Sequence, residues 1–332
     1  MQHIDQELVL LQTDATDSDL GALAAALEQA GGLCRAPLQR MLSDRLADEG
    51  MLLMLARRAP DAAAAQTVQP ALGEALAMLA ACGKADLNRL DPGRRLATFK
   101  LAAFDMDSTL IPIECIDELA ALVGRSAEVS ALTEAAMRGE VADYDESLRM
   151  RVALLARLSA DALMQLIERG IALNPGVEEL TSALRAAGLR LIVLSGGFAP
   201  IVAHIAARIG AAAFEANALE VEAGLLSGKL SGRILNAHYK AHYLQHYAAA
   251  WNVAPEATMA FGDGANDLQM FALAGLSIAY RAKPRVAAQA DLRLHHAGFR
   301  ALGEHFAETR SRSLAEALQT LEESLCTCPP SP

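Results

Sequence analysis

The chain has 332 residues, enough for two domains, and 53% of them are hydrophobic, so a buried core is expected rather than disorder. Forty acidic against 29 basic residues give a formal charge of −11, which opposes binding to nucleic acid or to an anionic membrane surface. A phosphate-bearing ligand would therefore need a locally positive pocket.

The opening residues lack a basic stretch followed by an apolar core, so they do not read as a secretory signal. Polar or charged residues interrupt every apolar stretch before the roughly 18 residues expected of a membrane span. A soluble cytoplasmic protein is expected. The five cysteines, Cys34, Cys82, Cys115, Cys326 and Cys328, are scattered and odd in number. They do not form a disulfide framework and are read as reduced, structurally neutral thiols. His295 and His296 lack metal-spaced partners and read as surface residues.

In chain order, residues 7–12 predict a strand and residues 17–30 a helix that ends at Gly31-Gly32. Residues 51–56 predict a second strand and 66–82 a second helix. This alternation suggests a small α+β module over residues 1–95, ferredoxin-like in pattern and regulatory in expectation. The polar stretch 83–95, with Asp91-Pro92-Gly93, reads as a linker.

A second pattern begins at residue 96. Apolar runs at 99–104, 189–194, 258–261 and 276–280 predict strands, separated by helices. One helix is expected to start at Asn174-Pro175, as cap and first residue, and to stop at Gly188. Another covers 199–209, closed by Gly210. Strands alternating with helices predict an α/β fold with a doubly wound parallel sheet, whose strand carboxyl ends carry the site. Residues 113–173 are too long for a plain crossover and predict a helical cap, and 217–233 predict a β-hairpin. The expected division is 1–95, then 96–310 with its cap, then a C-terminal helix and tail over 311–332.

Three strand ends carry polar residues or glycine where the apolar runs stop: Asp105-Met-Asp107-Ser-Thr109, Ser195-Gly196-Gly197 and Gly262-Asp263-Gly264. Phosphoryl transfer needs a nucleophile, neutralisation of phosphate charge and a proton for the leaving oxygen. Asp105 is the candidate nucleophile and Asp107 the candidate acid/base. Bare carboxylates repel phosphate, so Mg²⁺ is the expected cofactor. Its oxygen ligands would be Asp105, the Asp107 backbone carbonyl and Asp263, with Asp267 behind them. Ser195 and Gly196 are placed to grip phosphate oxygens, and Lys240 to neutralise remaining charge.

These four stretches, with Gly262-Asp-Gly-Ala-Asn-Asp267 as the last, resemble in order the motifs of the haloacid dehalogenase-like phosphatases. The continuation to Glu114-Cys-Ile-Asp-Glu118, with Met137-Arg-Gly-Glu and Tyr144-Asp-Glu-Ser-Leu-Arg149-Met-Arg151, is similar to the phosphoserine phosphatases within that group. The resemblance covers roughly residues 97–305. It implies hydrolysis of O-phospho-L-serine through a phosphorylated Asp105. Glu114 would meet the substrate amino group, Arg151 its carboxylate, and Asn266 would make a further substrate contact. An arginine pairs bidentately with a carboxylate, which suits that role. Tyr144 stands where the family commonly has phenylalanine, and Pro112-Ile113 where polar residues are common. Two other activities fit the same motifs: action on another small phosphomonoester, by hydrolysis or phosphotransfer, and non-catalytic sensing of phosphoserine or serine. A homodimer and an amino-acid ligand on the N-terminal module complete the expectations.

Overall fold

The computed structural model describes residues 6–13, 44–46, 50–58, 85–91, 93–137, 143–295 and 298–309. The chain divides into two compact units, one of Met1–Leu96 with Asp291–Pro332 and one of Ala97–Ala290.

In the first unit, β1 (Gln6–Thr13), β2 (Asp44–Leu46), β3 (Gly50–Arg58) and β4 (Ala85–Leu90) form an antiparallel sheet in the order β2-β3-β1-β4. The expected strands at 7–12 and 51–56 are β1 and β3, paired from Gln6↔Arg58 to Thr13↔Met51. The linker expectation for 83–95 fails over its first half. Residues 85–90 are a strand whose partners run from Leu8↔Leu90 to Thr13↔Ala85. Its polar residues Asp86 and Asn88 are buried, so the strand lacks the apolar run or alternation that would announce it. The helices expected at 17–30, 66–82 and 311–332 lie outside the described residues. Asp291–Pro332 joins this unit partly through Asn88, whose side chain donates to Arg293 O (2.8 Å) and accepts from Arg293 N (2.7 Å).

The second unit is the α/β body. After β5 (Leu101–Phe104) come four helices: α1 (Cys115–Leu122), α2 (Ser126–Met137), α3 (Tyr144–Ala153) and α4 (Asp161–Glu168). Then follow α5 (Val177–Ala186), β6 (Arg190–Phe198), α6 (Ala199–Ile209), β7 (Ala213–Glu222) and β8 (Leu225–Ser231). The unit closes with α7 (Ala237–Ala250), β9 (Thr258–Gly262), α8 (Leu268–Phe271), β10 (Leu276–Tyr280) and α9 (Pro284–Ala287). Within it the strand order is β10-β9-β5-β6-β7-β8, parallel as far as β7, with β8 antiparallel at the edge.

The central strands β5 and β9 are buried on both faces, which is why they read as unbroken apolar runs instead of alternating ones. Phe104 and Phe261 stack across them with ring centroids 4.2 Å apart. Leu101, Ile192, Leu194, Leu244, Ala260 and Met270 pack into one core. The hairpin expected at 217–233 is β7–β8, and it does more than cover an edge. Leu226 N donates to Leu158 O (2.8 Å) and Arg157 N to Leu226 O (2.8 Å), which ties the cap helices to β8.

One helix start differs from expectation. α5 begins at Val177 with Gly176 as its left-handed N-cap residue (φ 82°), not at Asn174-Pro175. Asn174 is buried, and its side chain donates to Thr109 O (2.8 Å) instead. It pins the loop after β5 rather than capping a helix.

Candidate active site

The carboxyl ends of β5, β6 and β9 converge because parallel pairing holds them in register, with Phe104 opposite both Val193 and Phe261. Asp105 follows β5 directly and is buried. Its Oδ1 accepts from Met106 N (2.8 Å) and lies 2.8 Å from Lys240 Nζ. Lys240 is fully buried on α7 and also donates to Asp267 Oδ1 (2.7 Å). Burial alone would lower the lysine pKa, but Asp105 and Asp267 more than offset it and hold the ammonium above its ordinary range. Asn236 caps α7, its Oδ1 accepting from Tyr239 N (3.2 Å), and so sets the turn on which Lys240 sits.

Asp263 and Asp267 come from the loop after β9. Asp267 Oδ2 accepts from Asp263 N (3.2 Å) and Gly264 N (3.0 Å). A Cβ on Gly262 would collide with the Asp267 carboxylate, so glycine is required there for close approach. Asp105, Asp263 and Asp267 each offer an oxygen, and all of these lie within 4.8 Å of one another. Burial, then Asp267 and Glu114, push Asp263 up to about 7, and burial raises Asp105 well above the carboxylate range despite Lys240. Crowded, desolvated carboxylates with all-oxygen donors are what a hard divalent cation relieves, so these residues fit Mg²⁺. Asp105 and Asp263 of the expected metal set thus lie together, with Asp267, the acid expected behind them, in the same cluster.

Asp107 instead accepts from Cys115 N (3.4 Å). Burial, then the Glu114 carboxylate, push its pKa up to about 7. A Cβ on Gly197 would lie 3.0 Å from Asp107 Oδ2 and 3.1 Å from Ser195 Oγ, so the ends of β5 and β6 meet at this acid. The chain turns sharply after it, with Ser108 in the left-handed region (φ 58°), a conformation that costs energy for a residue with a side chain. Ser108 Oγ donates to Glu114 Oε1 (2.7 Å), orienting the glutamate just before α1.

Ser195 is buried, and its hydroxyl accepts from Gly197 N (3.0 Å). Gly196 O accepts from the Asn217 side chain (2.7 Å), which also accepts from Leu235 N (2.8 Å), locking this loop. On α3, Arg149 is exposed while Arg151 is half-buried and donates to Ser147 O (3.3 Å). Asn266 is half-buried beside Gly264, where its Oδ1 would clash with a Cβ. Asp105, Asp107, Ser195, Lys240 and Asp263 thus meet at one set of strand ends, while Arg151 lies on the cap helix α3.

Two residues carry more than the sequence pattern showed. Tyr144 was notable only for its identity, yet its hydroxyl packs on Gly196 so closely that a Cβ there would strike it. Burial raises its pKa to about 12, and the charges of Lys240, Arg151, Asp105 and Asp107 all act on it. Cys115 is a free thiol, as expected, but it has a place in the site. It is buried against Asp107, and burial, then Asp107, push its pKa upward, so it stays protonated. Spacing gave no signal for either contact.

Residues 102–272 match the family model of haloacid dehalogenase-like hydrolases. The chain belongs to that family. Among relatives, it is 45% identical over 219 residues to "Phosphoserine phosphatase" of Albidiferax ferrireducens, covering 65% of this chain and 92% of that one. Among solved structures of this family, a haloacid dehalogenase-family hydrolase from Salmonella enterica serovar Typhi superposes with a TM-score of 0.73 at 26% identity, covering 92% of this chain and 99% of that one. A probable phosphoserine phosphatase from Vibrio cholerae superposes with a TM-score of 0.63 at 29% identity, covering 96% and 88%. Among the described residues of this family member, no helix is long and apolar enough to cross a membrane.

Proposed function

We propose that the chain is a phosphoserine phosphatase, a phosphoric monoester hydrolase that converts O-phospho-L-serine and water to L-serine and phosphate at the end of serine biosynthesis. The observation that carries this reading is the joining of Asp105 and Asp267 by buried Lys240, beside Asp263, with the Glu114 charge acting on Asp107. The names of its relatives agree.

Asp105 attacks the phosphorus atom, and the bond from phosphorus to the serine oxygen breaks. Asp107, its pKa raised to about 7 by burial and then Glu114, gives its proton to that oxygen. Asp107 then takes a proton from water, which attacks the phosphoryl group on Asp105, and phosphate departs. Lys240 holds Asp105 in place and balances its charge, and Ser195 with the Gly196 backbone grips phosphate oxygens. Mg²⁺, held by Asp105, Asp263 and the Asp107 carbonyl, would neutralise phosphate charge when bound. Asp267, saturated by Lys240 and two backbone N–H groups, serves as the anchor of that arrangement. Glu114 faces the substrate ammonium, Arg151 its carboxylate, and Asn266 the phosphoryl end.

The domain division 1–95, 96–310 and 311–332, with a cap over 113–173, belongs to the same reading; the compact body Ala97–Ala290 and its helices α1 to α4 support its central part, whereas Asp291–Pro332 groups with Met1–Leu96. A cytoplasmic setting fits the free Cys115. A homodimer and an amino-acid ligand on residues 1–95 stay part of the proposal.

The test is phosphate release with Mg²⁺ from O-phospho-L-serine and from phosphoethanolamine, which lacks the carboxylate. Wild type should prefer phosphoserine, and Arg151→Ala should erase that preference while sparing phosphoethanolamine. Equal rates on both substrates in wild type would reject the assignment.

A further inference from the structure

Helix α7 has two faces with different chemistry. Lys240, Ala241, Leu244 and Ala248 are buried and form its inner face. His238, His242 and His246, spaced four residues apart, are exposed on the opposite side. Such spacing stacks side chains on one face of a helix, one turn above another.

His242 and His246 are already arranged as a pair. Their rings are near-parallel, 23° apart in plane, with centroids separated by 6.3 Å. Two imidazoles on one tetrahedral ion have centroids about 5.3 Å apart, and roughly 6.5 Å in the linear limit, for a Zn–N bond of about 2.1 Å. The observed separation lies between the two, so rotation of the side chains, without movement of the helix, brings both rings onto a shared ion.

The rings are also braced. Tyr239 and Tyr243 pack edge-on against His242, at 6.2 and 5.4 Å between centroids. Tyr243 and Tyr247 do the same for His246, at 6.4 and 5.3 Å. Tyr247 is itself fixed by donating to Glu215 Oε1 (2.8 Å). A ligand pair held by its neighbours loses less freedom when a metal binds. Imidazole nitrogen favours zinc, copper and nickel over magnesium, so this site and the carboxylate cluster would select different ions.

We propose that His242 and His246 form a surface site for a borderline divalent metal such as Zn²⁺, completed by water and separate from the carboxylate cluster. Its occupation links two successive turns of the helix that carries Lys240, and so stabilises α7.

The probe is Zn²⁺, titrated calorimetrically into the full chain with Mg²⁺ in excess, and compared with His246→Gln, His242→Gln and His238→Gln. Both His242→Gln and His246→Gln should lose one zinc equivalent relative to wild type, and His238→Gln should keep it. Zinc should also raise the melting temperature of wild type but not of His246→Gln. All three variants should retain wild-type phosphatase activity before zinc is added, since none of these side chains enters the strand-end site. Equal zinc stoichiometry in wild type and His246→Gln would overturn the proposal. So would loss of the equivalent in His238→Gln alone.

Discussion

Lys240 and Asp105 lie on different elements far apart in the chain, yet Nζ and Oδ1 meet at 2.8 Å with both side chains buried. The lysine is shared with Asp267 at 2.7 Å, so one cation serves two carboxylates from two strand ends. Removing it leaves both anions desolvated and unpaired. Lys240→Met should cost about 3–5 kcal/mol of stability, as expected when one partner of a buried ion pair is lost. It should also lower kcat roughly 10²–10³-fold, the scale for losing a placed electrostatic contact. Urea melts and steady-state kinetics measure the two effects.

The raised carboxylates make stability depend on pH. Asp107 and Asp263 are pushed from the usual carboxylate range to about 7. Over that window the folded state binds more protons than the unfolded one, so without a cation stability falls as pH rises through it. Mg²⁺ binding to the ionised cluster opposes the fall. The increase in melting temperature on adding Mg²⁺ should therefore be larger near about pH 7.5 than near about pH 5. An increment that is the same at both would contradict this account.

A rate profile probes Asp107 separately. Its proton is needed for the leaving serine oxygen and is lost as pH rises through about 7 in the free site. The kcat/KM profile for O-phospho-L-serine should descend on the alkaline side, and Asp107→Asn should lower kcat about 10²–10⁴-fold. A profile flat to strongly alkaline pH would remove Asp107 from the acid role.

The Tyr144 hydroxyl packs on Gly196 and senses the charges at both ends of the site. With a pKa near 12 it remains a neutral donor at working pH. Tyr144→Phe should raise KM for O-phospho-L-serine about 2–10-fold, the effect of one neutral hydrogen bond, with a smaller change in kcat. Gly196→Ala should be more damaging, because its Cβ meets the hydroxyl directly.

Much of this site was legible in the sequence because buried parallel strands announce themselves as apolar runs, and polar residues at their ends stand out. Asp105, Ser195 and Asp263 were found that way. The strand Leu276–Tyr280 was placed to the residue for the same reason. What escaped was contact across the fold. Asn174 has the composition of a helix cap, but its amide is used to hold Thr109, which no local pattern encodes. Asp267 reads as a supporting acid, and only the meeting of β9 with α7 makes it the partner of Lys240. The strand Ala85–Leu90 was hidden because it buries polar Asp86 and Asn88, the latter satisfied by the Arg293 backbone, which no local pattern encodes.

The mechanism rests on phosphate being carried by one particular carboxylate. Acid quenching of the wild-type enzyme during turnover of O-phospho-L-serine with Mg²⁺, followed by peptide mass spectrometry, reads this directly. The phosphoryl group should appear on Asp105 and be absent from Asp105→Asn. Phosphate release without any phosphorylated Asp105, or with the group on another residue, would contradict it.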